Sequence, residues 1–239
     1  MAWILLCAAF ETSLFPASDF FETRFNPAYH ARTRTELSIT ADERFSLSDL
    51  STYTARAQLL NLALEATRFG NNLYRENSLK FGYGFAIRRN LHAGVDVSAL
   101  NCWIKDISSR YSYAVRCGVC LASSTGELGL WLNNLNIPRF NETDRVPLTY
   151  GARAVYAVNP VLSYRLSARS VETQVPFFNI GIGIVPAPLL ALDLGVNSDP
   201  LWLEYGCTVR LGALAVNYSG YNHQQLGLTH ALTLLFSSR

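Results

Sequence analysis

From about Leu59 to Phe236 the chain alternates large apolar residues with polar or small ones, segment after segment. In Leu79–Ile87 the odd positions are Leu, Phe, Tyr, Phe and Ile, and the even ones are Lys80, Gly82, Gly84 and Ala86. Leu91, Ala93, Val95, Val97 and Ala99 form the next apolar face, against His92, Gly94, Asp96 and Ser98. The same period of two recurs from Tyr111 to Ala122, Leu128 to Leu132, Leu148 to Val158, Leu162 to Arg169, Phe178 to Ile184, Leu190 to Val196 and Leu201 to Leu211. Two further runs lie near Leu214–Tyr218 and Leu226–Phe236. Successive side chains of a strand point to opposite sides, so this period predicts strands with one apolar face.

Upstream, Leu59–Arg68 reads as one strand, with Leu60, Leu62, Leu64 and Ala66 opposing Asn61, Ala63, Glu65 and Thr67. Glu36–Thr40 is a shorter strand, and Ser46–Leu50 a short turn of helix. Turn signals such as Arg89-Asn90, Asn159-Pro160 and Pro186-Ala187-Pro188 separate the runs, and Leu135–Pro147 forms a longer loop. The count is about 12 to 14 strands.

The second face decides the environment. A water-facing sheet surface is rich in Lys, Glu, Thr and Gln. Here the non-apolar positions are mostly Gly, Ala, Ser and isolated charges, which suits a crowded barrel interior. Tyr83, Tyr111, Tyr113, Tyr150, Tyr156, Tyr164, Tyr205 and Tyr218 stand on the apolar face near strand ends, as an interfacial aromatic girdle would. The expected fold is all-β: a single antiparallel transmembrane β-barrel of about 12–14 strands joined by short turns. The competing fold is a soluble secreted β-sandwich or lipocalin-like binding protein.

Composition agrees. Hydrophobic residues make up 49% and charged residues 16% of the 239 positions, with a mean hydropathy of +0.11. Yet no stretch reaches the ~18 consecutive apolar residues of a membrane helix. The net charge of +2 and pI of 8.3, without a basic stripe, argue against a nucleic-acid partner. The run Ala2–Phe10 followed by small polar residues reads as a signal-peptide remnant over 1–18, lacking the usual positive start. Residues 19–34 are expected to be an N-terminal segment entering the barrel, and 35–239 the barrel itself.

Two ends of the chain carry a family resemblance. Phe25-Asn26-Pro27-Ala28-Tyr29 resembles the N-P-A segment near the mature N-terminus of FadL-like outer-membrane proteins, which include the PorV- and PorP-type barrels linked to type IX secretion. Leu226–Phe236, with Leu226-Gly227 and Thr229-His230 after the Tyr-containing Asn217–Tyr221, is similar to their last strand, although Ser237, Ser238 and Arg239 follow the terminal aromatic. The resemblance implies a bacterial outer-membrane location and no cofactor. It further implies either passage of small or hydrophobic solutes, or service as a structural subunit of an outer-membrane secretion complex. Partners would be outer-membrane lipid and, in the second case, other outer-membrane or periplasmic proteins.

Register assigns the lumen-lining candidates: Lys80, Arg88, His92, Asp96, Arg116, Glu127, Arg153, Arg165, Arg169, Asp193, Glu204 and Arg210. Charges inside a barrel must pair or line water. They would make either a mildly cationic passage for anionic or amphipathic solutes, or a salt-bridged plug. Catalysis is not expected. His92, Asp96 and Ser98 share a face, but His92 and Ser98 are too far apart along one strand to touch. An outer-membrane lipid hydrolase, the remaining alternative, would use His92 or His230, the latter on the lipid side. Cys117 and Cys120 look like a redox pair but stand on opposite faces of one strand.

Overall fold

The computed structural model describes residues 26–31, 35–142, 144–172, 174–198, 201–223 and 226–238. Fourteen strands follow the short 3-10 turn Pro27–Ala31: β1 Thr35–Glu43, β2 Ser51–Leu59, β3 Leu62–Gly70, β4 Tyr74–Arg88, β5 Leu91–Ile104, β6 Ser108–Ala122, β7 Gly126–Asn133, β8 Thr149–Ala157, β9 Leu162–Val171, β10 Phe177–Ala187, β11 Leu190–Ser198, β12 Leu201–Leu211, β13 Leu214–His223 and β14 Gly227–Ser238. Each pairs antiparallel with its sequence neighbour. β1 then pairs with β14, from Thr35↔Ser238 to Glu43↔His230, and closes the sheet on itself. Closure removes the edges that an open sheet would leave unpaired.

The burial pattern is the reverse of a water-soluble protein. Apolar side chains cover the outside: Ile39 is 57% exposed, Phe81 54%, Ile180 63% and Leu203 67%. Polar residues fill the inside, among them Thr40, Thr208, Asn217, Ser219 and Thr229, all nearly inaccessible. Water-facing proteins do not spread Leu, Ile and Phe over a whole sheet surface; a lipid-facing barrel does so from every second position. Among the described residues no helix is long and apolar enough to cross a membrane, so any crossing is made by strands. The closed barrel replaces the sandwich alternative.

Three elements differ from the sequence reading. Leu59–Arg68 is not one strand: β2 ends at Leu59, Leu60 and Asn61 turn the chain, and β3 starts at Leu62. Leu60 adopts φ 54°, which lets two residues reverse direction while leucine continues on both sides. β2 lacks a strong apolar signal because two of its outward positions, Ala55 and Ala57, carry small side chains. Glu36–Thr40 extends to all of β1, and the helical turn near Ser46–Leu50 is two short 3-10 turns, Arg44–Ser46 and Ser48–Leu50. Residues 1–25 lie outside the described part of the chain, as does the expectation of a signal peptide there.

Both termini of the barrel lie at the same mouth, and the longest connection, residues 134–148, lies at the other. That loop folds inward. Val146 is buried against Leu100 and Ala114 with Phe140 beside them, and Asn134 donates to the Pro147 carbonyl at 2.9 Å. Ion pairs Arg110–Asp144 (3.6 Å) and Arg145–Glu172 (3.0 Å) pin it at the rim.

Candidate functional site

The segment Asn26-Pro27-Ala28-Tyr29-His30 sits inside the barrel, packed on β4, β5 and β6. All five residues are buried. Its shape is local in origin: the Asn26 side-chain oxygen accepts from Ala28 N at 2.9 Å and its carbonyl from Tyr29 N at 3.2 Å. Proline at the next position fixes the φ that such a turn needs. The wall makes room for it with glycine. A Cβ at Gly94 would overlap the Pro27 carbonyl, and one at Gly84 the Ala31 amide. The alternating glycines of β4 and β5 are thus a socket for backbone, where side chains would otherwise stand.

Charged and polar groups hold the segment on several sides. Asn26 donates to the Val119 carbonyl at 2.8 Å, and the Tyr29 hydroxyl donates to Glu127. His30 is clamped twice: Arg56 donates to Nδ1 at 3.2 Å, and Nε2 lies 2.9 Å from Asp96 Oδ1. Gln58 donates to the His30 carbonyl at 3.4 Å and accepts from Arg56 at 3.0 Å. Asp96 takes Arg116 on its other oxygen, with Nε at 2.7 Å. Lys80 donates to Glu65 at 2.7 Å.

Of the sequence-assigned residues, Lys80, Asp96, Arg116 and Glu127 therefore gather around this plug. Arg153, Arg165, Arg169, Asp193 and Glu204 stand further round the wall, on β8, β9, β11 and β12. There Arg153 pairs across from Ser167, with Arg165 and Arg169 two positions to either side on β9. Arg165 reaches Asp193 at 3.4 Å. Glu204 accepts from Trp202 at 3.1 Å, from Asn179 at 3.0 Å and from Asn197. His92 faces inward opposite Cys120, while Arg210 is half-buried near the mouth that bears the termini. Arg88 is a correction: the register slips between Ala86 and Arg88, and the residue ends exposed at the β4–β5 turn.

The remaining chemistry disperses. Asp96 turns to His30 and Arg116. His230 stands on the outer face, 3.7 Å from Glu43 and beside the Tyr218 ring. Cys117 and Cys120 have opposite orientations, half-buried and fully buried respectively. Sequence reasoning missed Arg56, because β2 was not legible, and His30, because nothing in the Asn-Pro-Ala run shows that it enters the lumen. The usable signal was the row of inward glycines, which fits a barrel that must admit a chain segment.

A hollow of about 1050 Å³ opens on the outer side of the wall, across β4–β10. Val95, Val119, Leu130, Leu132, Tyr150 and Phe178 line it, with Trp131 and Arg169 reaching it from the inner side. Here Gly94, Gly118, Trp131, Gly151 and Arg169 form one continuous cross-strand row. Three of the five carry no side chain, so the wall is thin.

The chain matches no protein-family model and no curated protein sequence. Its shape does resemble solved barrels. The CymD monoaromatic hydrocarbon channel superposes with a TM-score of 0.61 at 10% identity, covering 93% of this chain and 92% of that one. The toluene transporter TodX of Pseudomonas putida gives 0.58 at 9% identity over 89% and 91%. The outer membrane protein Omp33 of Acinetobacter baumannii gives 0.55 at 9% over 86% and 98%. At such identities the likeness is one of fold.

Proposed function

We propose that this chain is a non-enzymatic channel of a bacterial outer membrane, passing small apolar solutes and closed at rest by its own N-terminal segment. The observation that carries this reading is the seating of Asn26–His30 inside a closed barrel, on a glycine-lined socket and under paired charges. A barrel that served only as a scaffold could fill its lumen with side chains from its own strands. A separate chain segment, joined to the barrel at one end and held by a few polar contacts, is suited to move. The apolar hollow in the β4–β10 wall supports an apolar cargo, and two of the structural neighbours bear the descriptions hydrocarbon channel and toluene transporter.

The test locks the plug. Ala28 shares one buried cluster with Tyr29 and Cys120, so Ala28→Cys is placed to bond to Cys120 under oxidation. Reconstituted in liposomes, the oxidised variant is expected to admit no small aromatic hydrocarbon, and reductant is expected to restore wild-type uptake. Uptake unchanged by the lock would sink the plugged-channel reading, as would its absence in the reduced protein.

A further inference from the structure

We propose that His30 is an acid-sensitive latch, whose protonation releases the N-terminal plug. The inference deepens the plugged-channel reading and rests on it. Its basis is the hydrogen-bond logic around one imidazole. Arg56 can only donate, so Nδ1 of His30, 3.2 Å from its guanidinium, must accept and carries no proton. The single ring proton is then on Nε2, directed at Asp96 Oδ1 at 2.9 Å. The seated plug therefore specifies the neutral imidazole and one tautomer of it. Adding a proton puts N–H against N–H at Arg56. It removes one hydrogen bond and sets two cations face to face.

Burial disfavours the imidazolium most; Asp96 favours it, Arg56 and Arg116 oppose it, and the balance leaves the ring less basic than an ordinary imidazole. From β2 the ring meets Arg56, and from β6 Arg116 lies behind Asp96; β4 contributes Lys80, which Glu65 of β3 engages. On β5 stands Asp96, already bound to Arg116, with His92 further along the same face. Glu127 of β7 is occupied by the Tyr29 hydroxyl, and Arg153 of β8 lies opposite Gly129. The cations nearest the ring thus outnumber the carboxylates, and the one carboxylate in contact is shared. Because the seated state binds the imidazole proton less readily than the released state, falling pH shifts the balance toward release.

Cys120 supplies a reporter that does not depend on transport. It is wholly inaccessible and lies under Ala28 and Tyr29. In a variant with Cys7, Cys102, Cys117 and Cys207 changed to alanine, labelling by a water-soluble pyridyl disulfide is measured at pH 7.5 and pH 4.5. Each rate is divided by that of the denatured chain at the same pH. The normalised rate is expected to rise about tenfold or more on acidification, the factor that one lost hydrogen bond to a charged group supports. In His30→Gln and in Arg56→Leu that pH ratio is expected to fall toward one, whatever the rate at pH 7.5. A flat ratio in the parent protein, or an undiminished one in both variants, overturns the latch. A failed uptake assay with the acid-dependent labelling intact would instead remove the channel reading and leave the latch standing.

Discussion

Asp96 serves His30 and Arg116 with separate oxygens: Oδ1 meets the imidazole and Oδ2 the guanidinium. One inaccessible carboxylate on β5 thereby ties the plug to the barrel wall. Replacing it with alanine strips a partner from the neutral imidazole and the carboxylate from Arg116, and breaking a buried ion pair on one side costs about 3–5 kcal/mol. Asp96→Ala is expected to lower the unfolding midpoint of the barrel on heated gels and to raise basal conductance in planar bilayers. Asp96→Asn keeps an oxygen acceptor without the charge and should fall between the two. Silence of Asp96→Ala at the wild-type level would show that the plug is held by other contacts.

Gly94 faces the Pro27 carbonyl so closely that even a methyl group overlaps it. Gly94→Val thus competes for the space that the plug occupies, without touching the polar contacts of His30. The expected outcome is a folded barrel whose Asn26–His30 segment is cut by added protease, and whose conductance is raised. Val97→Leu, three residues along on the outward face, enlarges an exposed apolar side chain and is expected to leave both measurements at the wild-type level.

How far the chain announces this arrangement differs between its parts. The barrel is legible because outward residues such as Phe81, Val97 and Ile180 must be large and apolar, whatever the inside does. β2 is not, since its outward Ala55 and Ala57 do not contrast enough with Thr54 and Arg56. The pairing of Lys80 with Glu65 follows from register only once β2 and β3 are separated. Which inward charges meet is a matter of three-dimensional closure: Arg56, His30 and Asp96 come from three distant parts of the chain. Arg88 shows the limit of parity counting, because one register slip ends the alternation before the strand ends.

The sharpest test of whether the apolar outer surface meets lipid is on β10. Ile180 is 63% exposed, while its neighbour Asn179 is buried and bonded to Glu204. Arginine on the lipid face of a barrel near the bilayer midplane costs about 2–4 kcal/mol. Ile180→Arg is therefore expected to shift the folding midpoint in liposomes by that amount, yet to be nearly silent if the outer face meets water. Equal stability of the two proteins in lipid would contradict a membrane-embedded barrel.

Lys80 and Glu65 stand opposite each other on β4 and β3, 2.7 Å apart, with little of either side chain accessible. A pair of this kind separates the strength of an interaction from its value to the fold. Removing either charge alone leaves the other in a crowded interior, and the cost is expected to be about 3 kcal/mol for Lys80→Met or Glu65→Met. Replacing both with methionine removes the desolvation cost along with the attraction, so the double variant should lie closer to wild type than either single one. A double-mutant cycle on the denaturation midpoint measures this directly, with a coupling of about 1–3 kcal/mol expected for residues in contact. Additive losses would mean that water reaches both charges, so that the lumen on the β3–β4 side is wet even with the plug seated.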